Sequence, residues 1–553
     1  MSQQPINLMA KEGEKWLRRA ATAGHLPALY ELGWRLLDGS GINRNQMEGE
    51  KCVRQAAEAG YIYAMRGLGW RLFDGVGVKV DQEEGEHWLK KAIEAGHVEA
   101  MNDLGWRLID YTTKKEEGAQ WLKKAVDAGN VGAMVNLGWR LIDGKGVPQN
   151  PTEGQNLILR AIEMDSVYGM RELGWRFLDG AGVRQNIEEG ELLLRKAMTM
   201  GDMRAMYYLG FRILDGKLPH MNPKEGERFL RTAAEAGEIG AMRALGWRLV
   251  DGYGVEQNIE EGKNWLYKAA DAGDEIAMYE LGWRFVEGKN LNQDMEEGKR
   301  WLKKSAILGD AYAMYYLGWS MLSQEITEDE PNEGEKWLRL AAKLEYTSAM
   351  CQLGWRLIDG DGIKKDPTEG EKWLRKAIAH QSVAAMCELG WRIIEGMTPT
   401  TDRAEGAKLL RQAMLNKDTK AIYCLGLFIV DGKIDGEDPA EGEKLLRQAA
   451  DLEYPMAMKA LGWRLLDGKG MEQNIEEGEK WLRLAIKAGN LDAMYELGWR
   501  LVDGVSLRKN MSEGEKLLIE AAEKGHPDAM YALAIRYLDG TIHYTSEVKG
   551  NLH

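Results

Sequence analysis

Tryptophan and arginine stand side by side at Trp34–Arg35, Trp70–Arg71, Trp106–Arg107, Trp247–Arg248, Trp283–Arg284 and Trp355–Arg356, with further copies elsewhere. A row of indoles can stack on flat ligands, and a row of guanidinium forks can grip phosphate or carboxylate groups. Packing is the competing use. A residue held constant through many units answers a demand they share, and the stacking of units is such a demand. The tryptophans are therefore expected to pack between layers. The arginines, flanked by acids as in Glu280–Arg284–Glu287, are expected to fix the register of stacking as a structural ladder.

Other chemistry is sparse. The eight histidines are scattered, and no HExxH, GxSxG, phosphate loop or paired zinc spacing occurs. The four cysteines form no CxxC, although Cys351 and Cys387 hold the same slot in adjacent units and are expected to be neighbours. No catalytic residue, metal or cofactor is expected, and the chain does not read as an enzyme. A net charge of −14 repels phosphate backbones, so a single-stranded RNA binder, which an aromatic and arginine ladder would suit, is the alternative reading rather than the leading one. The chain begins without an apolar signal core and lacks a run of about 18 apolar residues, so no membrane partner is expected. With unpaired cysteines, this points to a soluble protein of the cytoplasm.

The elements that must carry these residues follow from a repeated phrase, "ELGWRLLDG" at 31–39 and near-copies. Its leucine recurs every 36 residues in thirteen of fourteen intervals and after 33 once, where the loop following Asp110 is shortened. A fixed period of this size marks a solenoid, whose units cannot bury their apolar faces alone. In 276–287 the apolar residues form two adjacent stripes, which predicts a helix buried on more than one side. In 259–272 only one side is apolar, which predicts an outer helix. Glycines such as Gly39, Gly75 and Gly252 stand where a left-handed residue closes the first helix. Asn45, Asp81, Asn258 and their equivalents, each with Glu three residues later, predict a capping box before the second. Residues 9–540 read as one continuous array and 541–553 as a polar tail.

The pattern in 241–273, "AMRALGWRLVDGYGVEQNIEEGKNWLYKAADAG", resembles the Sel-one-like repeat, a relative of the tetratricopeptide repeat. The resemblance implies an all-α fold: an α-solenoid wound as a right-handed superhelix, here of about fifteen 36-residue helix–turn–helix repeats. It implies a scaffold for protein complexes, with first helices lining the concave surface and no shared catalytic activity. Two departures stand out: leucine at 36, 72 and 249 where the family has an aromatic, and glycine at 49, 85 and 262 where it has alanine. Each helical glycine costs about 1 kcal/mol relative to alanine. The expected return is room for a neighbouring indole.

Recognition is expected where units differ. The residue two before the repeated leucine is Tyr207, Arg243, Tyr279, Tyr315, Tyr423 or Tyr495 in several units; the residue three earlier includes Arg204 and Tyr312. Tyrosine and arginine are enriched on protein-binding surfaces, although neutral drift at exposed positions would also vary them. A protein or peptide held in a superhelical groove is the leading expectation, and an immunity or inhibitor protein of a bacterium its narrower form. The acidic stretch from Ser323 is either a partner contact or a solvated insertion. The array starts with an outer-type helix and ends with an inner-type one, so head-to-tail self-association is a further expectation.

Overall fold

The computed structural model describes residues 8–323 and 331–539, so the polar segment 541–553 and the acidic stretch from 324 lie outside the described residues. Among the described residues every element is a helix, α1 to α30, and there is no strand. Outer-type helices such as α1 (Leu8–Thr22), α3 (Gln46–Glu58) and α15 (Ile259–Asp271) alternate with inner-type helices such as α2 (Leu26–Asp38), α4 (Ile62–Asp74) and α14 (Ile239–Asp251). The chain divides into two compact units, Met1–Ala277 and Met278–His553, and the boundary falls within α16 (Glu275–Glu287).

Many inner helices stop at a residue only glycine adopts freely. Gly39 has φ 72° and its amide donates to the Arg35 carbonyl; Gly252 has φ 69° and donates to Arg248. The outer helices start on half of the expected capping box. The Asn45 side chain accepts the Glu48 amide at 3.2 Å, but Asn45's own amide donates to the Leu36 carbonyl at 2.9 Å. That amide is already satisfied by the preceding helix, so the glutamate has no backbone donor to return to.

Burial follows the two face patterns. Inner helix α8 (Val131–Asp143) buries Ala133, Met134, Val135, Leu137, Leu141 and Ile142, whereas outer helix α9 (Pro151–Glu163) buries Leu157, Ile158 and Ala161. Leu68, Leu104, Leu245 and Leu281 in the repeated leucine slot are all 0% exposed. Burying such a side chain stabilises by about 1.5–3 kcal/mol. Where the outer helix α7 (Lys115–Asp127) follows a shortened turn after α6 (Val98–Tyr111), Thr112 replaces the glycine cap and the same helix pair still forms.

The glycines do not make room for indoles. A Cβ added at Gly262 would stand 2.6 Å from the Gly246 carbonyl oxygen and 2.8 Å from the Val250 nitrogen. Gly33 and Gly49 oppose each other in the same way, each carbonyl 2.8 Å from the Cβ the other lacks. Backbone lies directly against backbone where the two helices of a pair cross. The departure from alanine at 49, 85 and 262 is therefore a device for close helix approach.

Candidate functional site

The arginines pair between repeats. Arg71 donates through Nη1 and Nη2 to both oxygens of Asp38 at 2.9 and 2.8 Å, across 33 residues. Asp74–Arg107, Asp143–Arg176, Asp215–Arg248, Asp359–Arg392, Asp431–Arg464 and Asp467–Arg500 repeat the arrangement. The acid three residues after each arginine, expected as its helical neighbour, instead serves the following repeat. Geometry explains this: a helix-terminal carboxylate lies at the layer boundary, beside the guanidinium of the next layer. The Arg71, Arg248 and Arg356 side chains are 1%, 0% and 5% exposed. Arg35, in the first described inner helix, bonds Glu31 at 2.7 Å and the Ser40 carbonyl at 3.1 Å.

Most of these guanidinium groups also lie against the indole that precedes them. Arg71 stands 4.7 Å from the Trp70 ring centre, Arg107 4.0 Å from Trp106, Arg248 4.6 Å from Trp247, Arg284 4.6 Å from Trp283 and Arg356 4.8 Å from Trp355. Trp34, Trp70, Trp106, Trp247, Trp283 and Trp355 are all half-buried. Loop residues reach several of them: Tyr253 stacks on Trp247 at 5.8 Å. Carboxylate, guanidinium and indole thus form one unit of structure at the layer boundaries that carry all three. A buried guanidinium is tolerable there because the carboxylate neutralises it and the ring faces it.

Sequence reasoning missed a second series on the outer helices. Arg54 bonds Glu84, Arg231 bonds Glu261, Arg339 bonds Glu369 and Arg447 bonds Glu477, each across 30 residues. The glutamate is the one in the Glu-Gly pair. It also accepts the indole N–H four residues on, as Trp373 to Glu369 at 3.1 Å and Trp481 to Glu477 at 3.2 Å. The arginine holds Glu261 and Glu369 below the usual carboxylate range, against the opposing effect of burial. The signal was in the sequence: a glutamate present in every unit with only half a capping role to explain it.

The variable residues lie on inner helices, and several touch across repeats. In the first unit Tyr207 packs on Tyr208 and Phe211 at 5.1 and 5.9 Å. Arg243 bonds Asp274 at 2.7 Å, and Arg204 stands 3.6 Å from Glu238. In the second unit Tyr279 meets Tyr312 at 6.1 Å and Tyr316 at 5.7 Å; Tyr346 meets Tyr312 at 4.7 Å and Tyr315 at 5.3 Å. Tyr423 packs on Tyr454 at 5.4 Å, and burial pushes its phenol up to about 12. Tyr495 stacks on His526 at 5.1 Å. Cys387 hydrogen bonds to Cys424 of the next repeat, a contact not foreseen from the shared slot of Cys351 and Cys387.

A separate groove lies in the first unit, lined by none of these residues. It has a volume of about 560 Å³ and is lined by Tyr30, Glu31, Tyr61, Tyr63, Arg66 and Trp70, among others. Tyr30 and Tyr61 meet at 5.8 Å, Tyr61 and Tyr63 at 5.5 Å, and Tyr63 is 55% exposed. Gly67 allows this: a Cβ there would stand 2.6 Å from the Tyr30 hydroxyl. Arg66 is held by Asp103 of the next repeat. The result is an aromatic wall with one exposed ring, fixed by groups that are already partnered.

At the last described helix, α30 (Pro527–Leu538), Ala534 takes the slot filled by glycine in the other inner helices. Its methyl occupies the place where Gly498 receives the Gly514 carbonyl.

The Sel1 repeat family profile matches the chain in fifteen segments, from 10–25 through 347–382 and from 419–454 to 527–549. The unmatched repeat, 383–418, is the one with "GMTPTTD" in place of the usual turn. Similar solved structures include a protective antigen of uropathogenic Escherichia coli with an SLR fold, 25% identical over 80% of this chain and 96% of that one, TM-score 0.44. A Sel1 repeat protein from Oxalobacter formigenes is 22% identical over 62% of this chain and 89% of that one, TM-score 0.39. Yeast Tom70 is 13% identical over 88% and 96% respectively, TM-score 0.38. No match was found among curated proteins. With its repeat profile running through nearly every unit, the chain belongs to the Sel1 repeat family.

Proposed function

We propose that this chain is a non-enzymatic scaffold that holds a protein or peptide partner on the variable faces of its inner helices. Sel1 repeat proteins are generally protein-interaction scaffolds. The observation that carries the reading is the division of labour between residue classes. The repeated arginines are consumed by carboxylates and indoles of the scaffold, while the variable tyrosines Tyr30 and Tyr63, with the helix-starting Tyr61, line the groove. Rigid, half-exposed aromatic side chains bind with little loss of rotamer freedom, which suits a protein contact.

The RNA alternative needs free cations, and the ladder arginines are neutralised where they stand. Among the described residues no helix is long and apolar enough to cross a membrane. All four cysteines are buried free thiols, which suits a reducing, cytoplasmic setting. An immunity or inhibitor protein that wraps a toxin is the narrower form of the same reading.

The test is capture from the source cell with the full chain immobilised, followed by mass spectrometry. The expected result is one protein recovered in near-stoichiometric amount and lost with the pair Tyr30→Ala and Tyr63→Ala. Recovery of RNA instead, or undiminished capture by that pair, overturns the reading.

A further inference from the structure

At one rung the inner ladder keeps its arginine but loses its acid. Ser323, at the end of α18 (Ala311–Leu322), fills the slot held by Asp38, Asp74, Asp359 and Asp467 elsewhere. Opposite it, Arg356 on α20 (Thr347–Asp359) keeps the buried position of its counterparts, with its side chain 5% exposed. Its Nη2 finds only the Ser323 Oγ, at 3.3 Å, where Arg140, Arg248 and Arg464 find a carboxylate. Nη1 turns to Asp361, at 2.8 Å to the carboxylate and 3.1 Å to the carbonyl. Burial pushes this guanidinium below its ordinary value. At Arg392 burial acts in the same direction, but Asp359 and Glu388 outweigh it.

Changing an aspartate to serine removes the anion but leaves an oxygen in its place. A free carboxylate entering the rung would collide with that oxygen. An anion built on it would not, and Ser323 is exposed. We propose that Ser323 is a phosphoryl-acceptor site whose phosphate ester completes the rung with Arg356. The Ser323 Oγ attacks the γ-phosphorus of a nucleoside triphosphate held by a protein kinase. The Oγ–P bond forms, the bond to the bridging oxygen breaks, and the nucleoside diphosphate leaves. The hydroxyl proton passes to a base of the kinase.

A dianion at a helix C-terminus is unfavourable by itself, because the helix dipole presents negative charge there. Only the guanidinium opposite can reverse that sign, so the modification must tighten this layer boundary when Arg356 is present and loosen it when Arg356 is absent. Phosphate on a neighbouring surface serine would lack this dependence.

The test uses the full chain with phosphoserine encoded at position 323 and reads amide exchange in α18 and α20. The expected result is exchange slowed roughly tenfold relative to the unmodified chain, the effect of one or two charge-assisted hydrogen bonds. Ser323→Asp should slow exchange in the same helices, and in Arg356→Gln the phosphate should give no protection. Unchanged or faster exchange in the Arg356-bearing chain overturns the proposal, as does protection that persists in Arg356→Gln. In the protein isolated from its source cells, phosphopeptide mapping should find a phosphorylated fraction at Ser323; a wholly unmodified serine under every growth condition tested overturns it too.

Discussion

Arg71 and Asp38 lie 33 residues apart and meet at 2.8 Å across the boundary between two repeats. The acid slot holds glutamate only at 287 and 395, and at those two places the next repeat offers Ser320 or Phe428 in place of the arginine. Glu395, freed from the ladder, reaches Lys433 at 2.6 Å. The shorter side chain is kept where a bidentate contact must be made and is not kept where it has no partner. The pairing sets the residue type.

Asp215→Asn should therefore destabilise the protein more than Arg248→Met. The first leaves a fully buried guanidinium with its charge uncompensated, a loss of about 3 kcal/mol. The second removes the charge together with its requirement, at about 1 kcal/mol. Urea unfolding of the two variants side by side checks the order, and the reverse order refutes it.

Gly262→Ala should lower the melting temperature even though alanine favours a helix by about 1 kcal/mol. The added methyl meets the Gly246 carbonyl and the Val250 nitrogen, which are backbone and cannot swing aside. Overpacking costs about 1–3 kcal/mol and should win. Thermal unfolding decides between the two, and a rise would show that the helix crossing yields.

Acid should weaken the array through the outer glutamates. Glu261, Glu369 and Glu477 are held below the usual carboxylate value chiefly by hydrogen bonds from Arg231, Arg339 and Arg447. A depressed folded value means stability that is complete above the unfolded value, near pH 4.3, and is lost as pH falls toward the folded one. The melting temperature should be level near neutrality and fall below about pH 4.5. In Arg231→Gln that fall should be shallower, because the folded Glu261 then titrates more like the unfolded one.

A rung can also be added. Glu287→Asp with Ser320→Arg recreates the pair found elsewhere, and the double variant should unfold later than either single one. Ser320→Arg alone buries a guanidinium opposite a glutamate one methylene longer than the slot accepts. A double-mutant cycle reads the coupling, expected at about 1–2 kcal/mol in favour of the pair.

Much of this architecture was legible along the chain. The 36-residue period, the left-handed glycines such as Gly39 and Gly252, and the cap residues such as Asn45 and Asn258 are local features, and each sits where its residue type requires. What escaped the sequence lies between layers. A spacing of 33 or 30 residues has no helical meaning, so the acids beside Arg284 drew attention to its own helix rather than to the neighbouring repeat. The glycines at 246 and 262 face each other across a pair, and a one-dimensional pattern shows that glycine is required without showing what it faces. The aromatic wall at Tyr30, Tyr61 and Tyr63 is partly readable. Tyr30 and Tyr63 stand in variable slots, but Tyr61 starts a helix and Gly67 clears the space, and neither slot pointed to a ligand.

The shortened turn after Asp110 carries a practical lesson. Asp110 still meets Arg140 at 2.7 Å although only 30 residues separate them, so three residues were excised without moving the boundary they span. At this boundary the length of the ribbon is thus independent of the register of the stack, and the short turn after Asp110 is a port where foreign sequence can be spliced in while the layers on either side keep their alignment.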